Sequence, residues 1–379
     1  MSSIRLSRYL KAVRCFACDA SHDPRRLLSV CERCGMPLRV DYDLAAIRLR
    51  LADLASRPPT LWRYREVLPL EAGDEVSLAE GFTPLLSLGQ NVWVKDEARN
   101  PTGSFKARGM TMAVSMAKHL GAKKLAAPSA GNAAGALAAY GARAGLPVIV
   151  AVPEDTPQPF FAECALYGAT VLTVQGTIAD AAKVLRERAP QDAYQVATLR
   201  EPYRIEGKKT MAYELVEQFE GEVPDVVLYP TGGGVGLIGM WKGFDEMEAL
   251  GWIPRGKRPR FVSVQAVGCV PVVKAFYEGA ASTEAWANAQ TRAYGLRVPA
   301  PIGGFLCLRA LRDTGGTAIA IEEDEIQRAT LELAAKSGID VCPEGGAAWA
   351  AFLKLQQSGF IRASDRTVIF NTGTGLKYR

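Results

Sequence analysis

The sequence predicts an α/β fold with mostly parallel sheets, entered through a small zinc-ribbon-like segment at the N-terminus. Two observations carry this. From about residue 80, short apolar runs at 92–95, 124–127, 148–152, 170–174, 226–229, 261–265 and 367–371 alternate with helical stretches at 133–144, 178–188, 210–219, 237–250 and 323–337. Strands that read as unbroken apolar runs belong to sheets covered on both faces. Ahead of them, the first 34 residues hold two cysteine pairs, Cys15-Phe-Ala-Cys18 and Cys31-Glu-Arg-Cys34. The 379 residues, 48% of them hydrophobic and 22% charged, supply core enough for two or three folding units.

Taken in order, the N-terminal stretch carries Arg5, Arg8, Lys11 and Arg14 without the apolar segment of a secretory signal, so a cytoplasmic enzyme is expected. Two Cys-x-x-Cys knuckles can present the thiolates of Cys15, Cys18, Cys31 and Cys34 tetrahedrally to zinc. Gly35 follows the second knuckle, where a tight turn lets amides reach the sulfurs. Four protein ligands leave no open position for substrate, so such a zinc is structural; two redox pairs or unligated thiols are the alternatives. The remaining cysteines, Cys164, Cys269, Cys307 and Cys342, are scattered and read as buried small side chains. Residues 41–57 read as a helix ending before Pro58 and Pro59. These features divide the chain into a ribbon-like segment at 1–44 and an α/β region at 45–379.

Several function classes fall away. The most apolar stretch, 125–152, is rich in Ala and Gly, contains Arg143 and is interrupted by Pro128 and Pro147, so no membrane partner is expected. The net charge of +5 is thinly spread, and the basic knot around Arg255, Lys257, Arg258 and Arg260 reads as a surface connection, so no nucleic acid is expected either. Only His22 and His119 are present, and neither is near a nucleophile elbow, which removes Ser-His-Asp and His-rich metal chemistry.

In open α/β sheets ligands collect where strand ends meet helix starts, and four such junctions are unusual here. Residues 100–110, Asn-Pro-Thr-Gly-Ser-Phe-Lys-Ala-Arg-Gly-Met, place Lys106 after Phe105 at a helix start, where a lysine can form a Schiff base. Ser129-Ala130-Gly131-Asn132-Ala133 opens a small-residue helix whose amides suit a carboxylate. Thr231-Gly232-Gly233-Gly234-Val235-Gly236 follows a strand and can converge amides on a phosphate. Continued to Gly239, Gly234-x-Gly236-x-x-Gly239 also matches a dinucleotide fingerprint, but the next strand ends in Gln265 rather than an acid for a ribose, which favours a lone phosphate. The fourth, Thr372-Gly373-Thr374-Gly375, offers hydroxyls to a heterocyclic nitrogen. An imine-forming lysine, a carboxylate loop, a phosphate cup and a hydroxyl for a ring nitrogen together describe a site for pyridoxal phosphate.

With these segments, and with Pro202-Tyr203-Arg204-Ile205-Glu206-Gly207-Lys208-Lys209-Thr210 between them, the chain resembles the fold type II pyridoxal-phosphate enzymes, and within them the threonine synthases, from about residue 75 onward. The resemblance implies two interleaved three-layer parallel-sheet domains after the ribbon, a smaller mobile one at about 100–196 and a larger one from the rest, and a homodimer. It implies that Lys106 holds the cofactor and shuttles protons, that Phe105 packs near the ring, and that Asn132 bonds its 3-hydroxyl. Gly232, Gly233, Gly234, Val235 and Gly236 would hold the phosphate and Thr372 the pyridine nitrogen, a neutral partner suited to elimination and replacement. Ser129, Gly131 and the neighbouring amides through Ala133 would take the carboxylate of an amino-acid substrate, and Arg204 a substrate phosphate.

The activity implied is conversion of O-phospho-L-homoserine and water to L-threonine and phosphate. Ala107, Ala133, Gly233 and Thr198 depart from the family pattern and thin the polar cradle for a phosphorylated substrate. A threonine or serine dehydratase, or another amino-acid β- or γ-replacement enzyme, is therefore the alternative expectation.

Overall fold

The computed structural model describes residues 5–129 and 131–379, in two compact units that the chain visits alternately. The first takes the chain through Gly81, then Asn100–Thr102 and Lys106–Lys208; the second takes Phe82–Arg99, Gly103–Phe105 and Lys209–Arg379.

The first unit opens with a three-stranded antiparallel sheet in which Leu10–Cys15 lies between Ser21–His22 and Leu38–Tyr42. Val13, Leu38 and Val40 are buried in it, and the loop between the knuckles is pinned to the rest of the unit. Tyr194 donates its hydroxyl to Leu28 O at 2.6 Å, Ser29 to Arg200 O at 2.7 Å, and Tyr42 to the Glu206 carboxylate at 2.9 Å. The helix expected at 41–57 does not form. Tyr42 pairs with Leu10 in the sheet, and only short 3-10 turns follow, at Leu44–Ala46 and Leu51–Leu54. Asp43 makes no side-chain cap, and Ile47, Leu49 and Leu54 are buried one by one as pegs of an irregular strap. Their helix-like spacing is satisfied without a helix.

The main sheet of this unit is fully parallel, in the order Thr170–Val174, Val148–Pro153, Lys124–Pro128, Ala193–Gln195. Successive residues feed opposite faces. Leu125, Ala127, Val148 and Val150 pack with the helices Lys106–His119 and Asn132–Ala144, whereas Ala126, Ala151 and Val174 pack with Ala181 and Leu185 of Ile178–Arg188. Helices cover both faces, giving three layers.

The second unit is built on six strands in the order Thr317–Ile321, Arg260–Ala266, Val226–Pro230, Thr367–Asn371, Val92–Asp96, Leu85–Gly89, parallel except for the last pair. One face packs on helices Glu323–Ser337 and Pro343–Gln357 through Ile326, Leu333, Trp349 and Phe352. Helix Val235–Ala249 covers the other, with the Phe244 ring edge-on to Phe261 at 6.1 Å. The basic knot is a surface connection whose charges are met by acids: Arg258 on Asp245 and Glu248, Arg260 on Asp365. Among the described residues, no helix is long and apolar enough to cross a membrane.

In the first unit a close approach fixes two functional helices. A Cβ at Gly207, in helix Arg204–Gln218, would lie 1.8 Å from the Arg108 carbonyl oxygen in the first turn of Lys106–His119. Backbone cannot yield as a side chain can. Gly207→Ala is expected to cost roughly 2–3 kcal/mol, read as a lowered urea midpoint at unchanged m-value.

Candidate active site

In the second unit, strand Val226–Pro230 runs into the glycine turn and then helix Val235–Ala249. Gly234 caps that helix with φ +77° and without a side-chain hydrogen bond, a conformation glycine adopts freely. A Cβ at Gly232 would lie 2.1 Å from Gly295 O, and one at Gly236 1.9 Å from the Tyr229 hydroxyl oxygen. The first amide with an intrahelical acceptor is that of Ile238, bonded to Gly234 O. The earlier amides of the turn form a donor set suited to a dianion.

The last strand, Thr367–Asn371, delivers Thr372. Its carbonyl accepts the Phe105 N–H at 3.0 Å, Gly103 O accepts Thr374 N–H at 2.8 Å, and Ser104 faces Gly373 between them. This short antiparallel stitch holds Gly103–Phe105, and Lys106 is the next residue. The Phe105 ring meets Tyr229 edge-on at 6.0 Å, and Tyr229 meets Phe370 at 5.3 Å. The buried Thr372 hydroxyl lies 3.8 Å from Cys342 Sγ, itself 3.4 Å from Asn371 Oδ1. Burial, reinforced by the Glu344 charge, pushes the Cys342 thiol well above its usual range, so the sulfur beside the Thr372 hydroxyl is an uncharged thiol.

In the first unit, Lys106 starts its helix half-exposed, while the residues after it, from Ala107 to Ala117, are buried. The first turn holds no acid. Ser129 is buried, with Oγ 3.4 Å from Gly131 O, and Gly131 begins helix Asn132–Ala144 with no side-chain cap. Ala130 of this loop lies outside the described residues. Asn132 and Ala133 are half-buried at the helix start, and the Phe160 ring would lie 3.8 Å from a Cβ at Gly131.

Arg204 begins helix Arg204–Gln218 only 1% exposed. Its Nη1 donates to Val196 O at 3.4 Å, while Nε and Nη2 have no acceptor among the described residues. Burial lowers its pKa, opposed by the Glu201 charge. Glu201 accepts from the amides of Tyr203 and Arg204, and burial pushes its carboxyl up to about 7 against the pull of Arg204.

These residues fit pyridoxal phosphate on their own chemistry. The glycine turn presents amides where a side chain would collide, Thr372 offers a buried hydroxyl, and Lys106 is a half-buried lysine next in the chain to the stitched Phe105. Residues 76–373 match the family described as "Pyridoxal-phosphate dependent enzyme". The chain is 34% identical over 374 residues to the threonine synthase of Methanosarcina acetivorans and 36% identical over 376 residues to that of Methanocaldococcus jannaschii, covering 96% of this chain and 92% of each relative. It belongs to the pyridoxal-phosphate dependent enzymes, in their threonine synthase branch.

The threonine synthase of Mycobacterium tuberculosis is 33% identical over 332 residues, 84% of this chain and 89% of that one. Among solved structures, maize serine racemase superposes with a TM-score of 0.65 at 22% identity, covering 77% of this chain and 88% of that one. The processed form of threonine deaminase isoform 2 from Solanum lycopersicum gives 0.62 at 21%, covering 76% and 80%. The superpositions confirm the α/β fold type, and the family match confirms the cofactor class expected from the loops.

Sequence reasoning did not single out Glu201, or the network of Cys342 and Asn371 beside Thr372. Cys342 is buried, as expected of a scattered cysteine, but sequence does not reveal its partners, and nothing in a lone Glu announces burial, although Glu201 three residues before Arg204 has helix-capping spacing. Glu201 also yields a sign that can be checked. Its folded pKa of about 7 exceeds the ordinary value of 4.5, so between these values the folded chain binds more protons than the unfolded one. Stability falls as pH rises through that window. Glu201→Gln, which keeps an acceptor for both amides, is expected to flatten that fall, which for one group cannot exceed about 1.4 kcal/mol per pH unit; urea titrations across the window measure it.

Proposed function

We propose that this chain converts O-phospho-L-homoserine and water to L-threonine and phosphate. The observation that carries the reading beyond the cofactor class is Arg204: a guanidinium 1% exposed, with Nε and Nη2 lacking an acceptor among the described residues. Buried donors without acceptors are costly, and a planar fork of this kind matches a phosphate. The identity of 34–36% to threonine synthases over 96% of the chain supports the same substrate.

Bound pyridoxal phosphate would supply an electron sink that makes the substrate's α- and β-hydrogens acidic. Lys106 Nζ would hold the cofactor and then carry protons, taking one from Cα, taking another from Cβ, and returning protons at Cγ and Cα as phosphate leaves and water adds at Cβ. The helix dipole at its position works against a standing ammonium there. Arg204 would grip the phosphate until it departs. Ser129, Gly131, Asn132 and the amides through Ala133 would bind the substrate carboxylate and the ring 3-hydroxyl. Gly232, Gly233, Gly234, Val235 and Gly236 would hold the cofactor phosphate, Phe105 would pack near the ring, and Thr372 would meet the ring nitrogen without donating a charge.

The test is product analysis with O-phosphohomoserine. Equal release of phosphate and threonine, absent in Lys106→Ala, is expected; 2-oxobutyrate and ammonia from threonine, with no phosphate released from O-phosphohomoserine, would establish a dehydratase instead. Arg204→Ala should lower kcat/KM for the phosphorylated substrate by roughly 10²–10³, the order of a lost charge-assisted contact, and affect threonine turnover by less than about tenfold. Equal losses on both would remove the assigned role.

The ribbon is proposed to hold structural zinc, and the enzyme to work as a homodimer in the cytoplasm. The four sulfurs lie within 4.8 Å of one another, with Cys15–Cys34 at 3.5 Å, Cys18–Cys31 at 3.7 Å and Cys18–Cys34 at 3.4 Å. A tetrahedron with Zn–S bonds of about 2.3 Å has edges of about 3.8 Å. None of the eight cysteines is in a disulfide, which suits a reducing compartment; the dimer rests on family resemblance. Elemental analysis should find about one zinc per chain, and its chelation should lower the melting temperature; less than half a zinc per chain overturns the assignment.

A further inference from the structure

The geometry points to Gln265 as the positioning residue that aims the glycine turn at the cofactor phosphate. The inference rests on the assignment of that turn to the phosphate. Gln265 is the penultimate residue of strand Arg260–Ala266, the place where a dinucleotide site would carry an acid, and it is fully buried. Its Oε1 accepts the amides of Val272 and Val273 at 2.9 and 3.1 Å, at the start of helix Pro271–Tyr277. Both donors are backbone N–H groups, so the identity of the oxygen follows from them. The amide nitrogen must then face the other way, and there Nε2 donates to Thr231 O at 3.1 Å.

Thr231 is the residue before Gly232, and every polar atom it has is held. Its N–H donates to Val264 O at 2.8 Å and its hydroxyl to Tyr229 O at 2.9 Å, leaving the carbonyl to Gln265. In a planar trans peptide the C=O and the following N–H point in opposite directions. Fixing the Thr231 carbonyl on Gln265 therefore fixes the Gly232 N–H on the opposite side, as the first donor of the turn. A glycine-rich turn is intrinsically free to rotate this peptide, and flipping it would present a carbonyl oxygen to an anion. Gln265 removes that freedom from outside the turn, without touching the ligand. An acid at 265 would instead set a second carboxylate oxygen against the Thr231 carbonyl.

The full-length chain, stripped of cofactor, is titrated with pyridoxal 5′-phosphate and separately with pyridoxal, which has the ring and aldehyde but no phosphate. Binding is followed by the coenzyme's visible absorbance and by tryptophan quenching. Gln265→Met, of similar length and without hydrogen bonds, and Gln265→Glu, read at a pH where infrared difference spectra show its carboxyl ionised, are expected to weaken pyridoxal phosphate about 10- to 50-fold, the range of one hydrogen bond to a charged group. Pyridoxal affinity should change by less than about twofold, because general loosening would affect both ligands. Gln265→Glu keeps acceptors for Val272 and Val273, so it serves if the Met variant does not fold. A folded variant that binds pyridoxal phosphate as the wild type does, or loses both ligands equally, overturns the inference. A wild-type chain that binds neither compound overturns the cofactor assignment itself, and the inference with it.

Discussion

The arrangement depends on two backbone hydrogen bonds, from Phe105 N–H to Thr372 O and from Thr374 N–H to Gly103 O. They join a segment just after the second strand of the large sheet, Val92–Asp96, to the end of its last one. Side chains could not do this as rigidly, because backbone partners lose no rotamer freedom when they pair. The stitch delivers Lys106 as the next residue after Phe105, and it sets the Thr372 hydroxyl on the same short ladder. A register slip of one residue would turn Thr372 to the opposite face. Gln265 acts similarly on the glycine turn. In both cases peptide orientation, not side-chain chemistry, defines the recognition surface.

Buried charge elsewhere has the opposite character. Lys95 lies 2.8 Å from Glu214 and also donates to Thr83 O and Gln218. Glu246 accepts from Lys209, Lys242 and Tyr213. These groups are satisfied within the protein and fasten elements together, at a desolvation cost that makes them weak evidence for stability and none for chemistry. Arg204 differs in that two of its buried nitrogens meet no acceptor among the described residues.

Much of this was legible in the sequence. The strands expected at 170–174 and 367–371 form with those bounds, and the other five differ by a residue or two. Apolar runs in a doubly covered sheet carry a strong signal. What escaped was short or marginal: Leu85–Gly89 and Ala193–Gln195 at sheet edges, Thr317–Ile321, and helices Gln158–Leu166, Pro271–Tyr277, Gly304–Asp313 and Pro343–Gln357. Edge strands bury one face at most, and Ala/Gly-rich helices such as Pro343–Gln357 lack a clear apolar stripe. The loops that bear on chemistry were visible because they need unusual residues. Gln265 was noticed only for the acid it is not, since its role is fixed by partners that sequence spacing does not reveal.

The strand order of the large sheet has a consequence for biosynthesis. Thr367–Asn371 sits between Val226–Pro230 and Val92–Asp96, joining three strands on one side to two on the other. As a ribosome makes the chain, the two halves of this sheet stay separate until that segment emerges, and neither can close on the other before then. The strand that completes the sheet also leads directly into the threonine proposed to face the coenzyme ring. A nascent or prematurely terminated product therefore lacks both the keystone of its sheet and the threonine proposed for the coenzyme ring, so closure of the sheet and completion of the proposed site are acquired in the same late event.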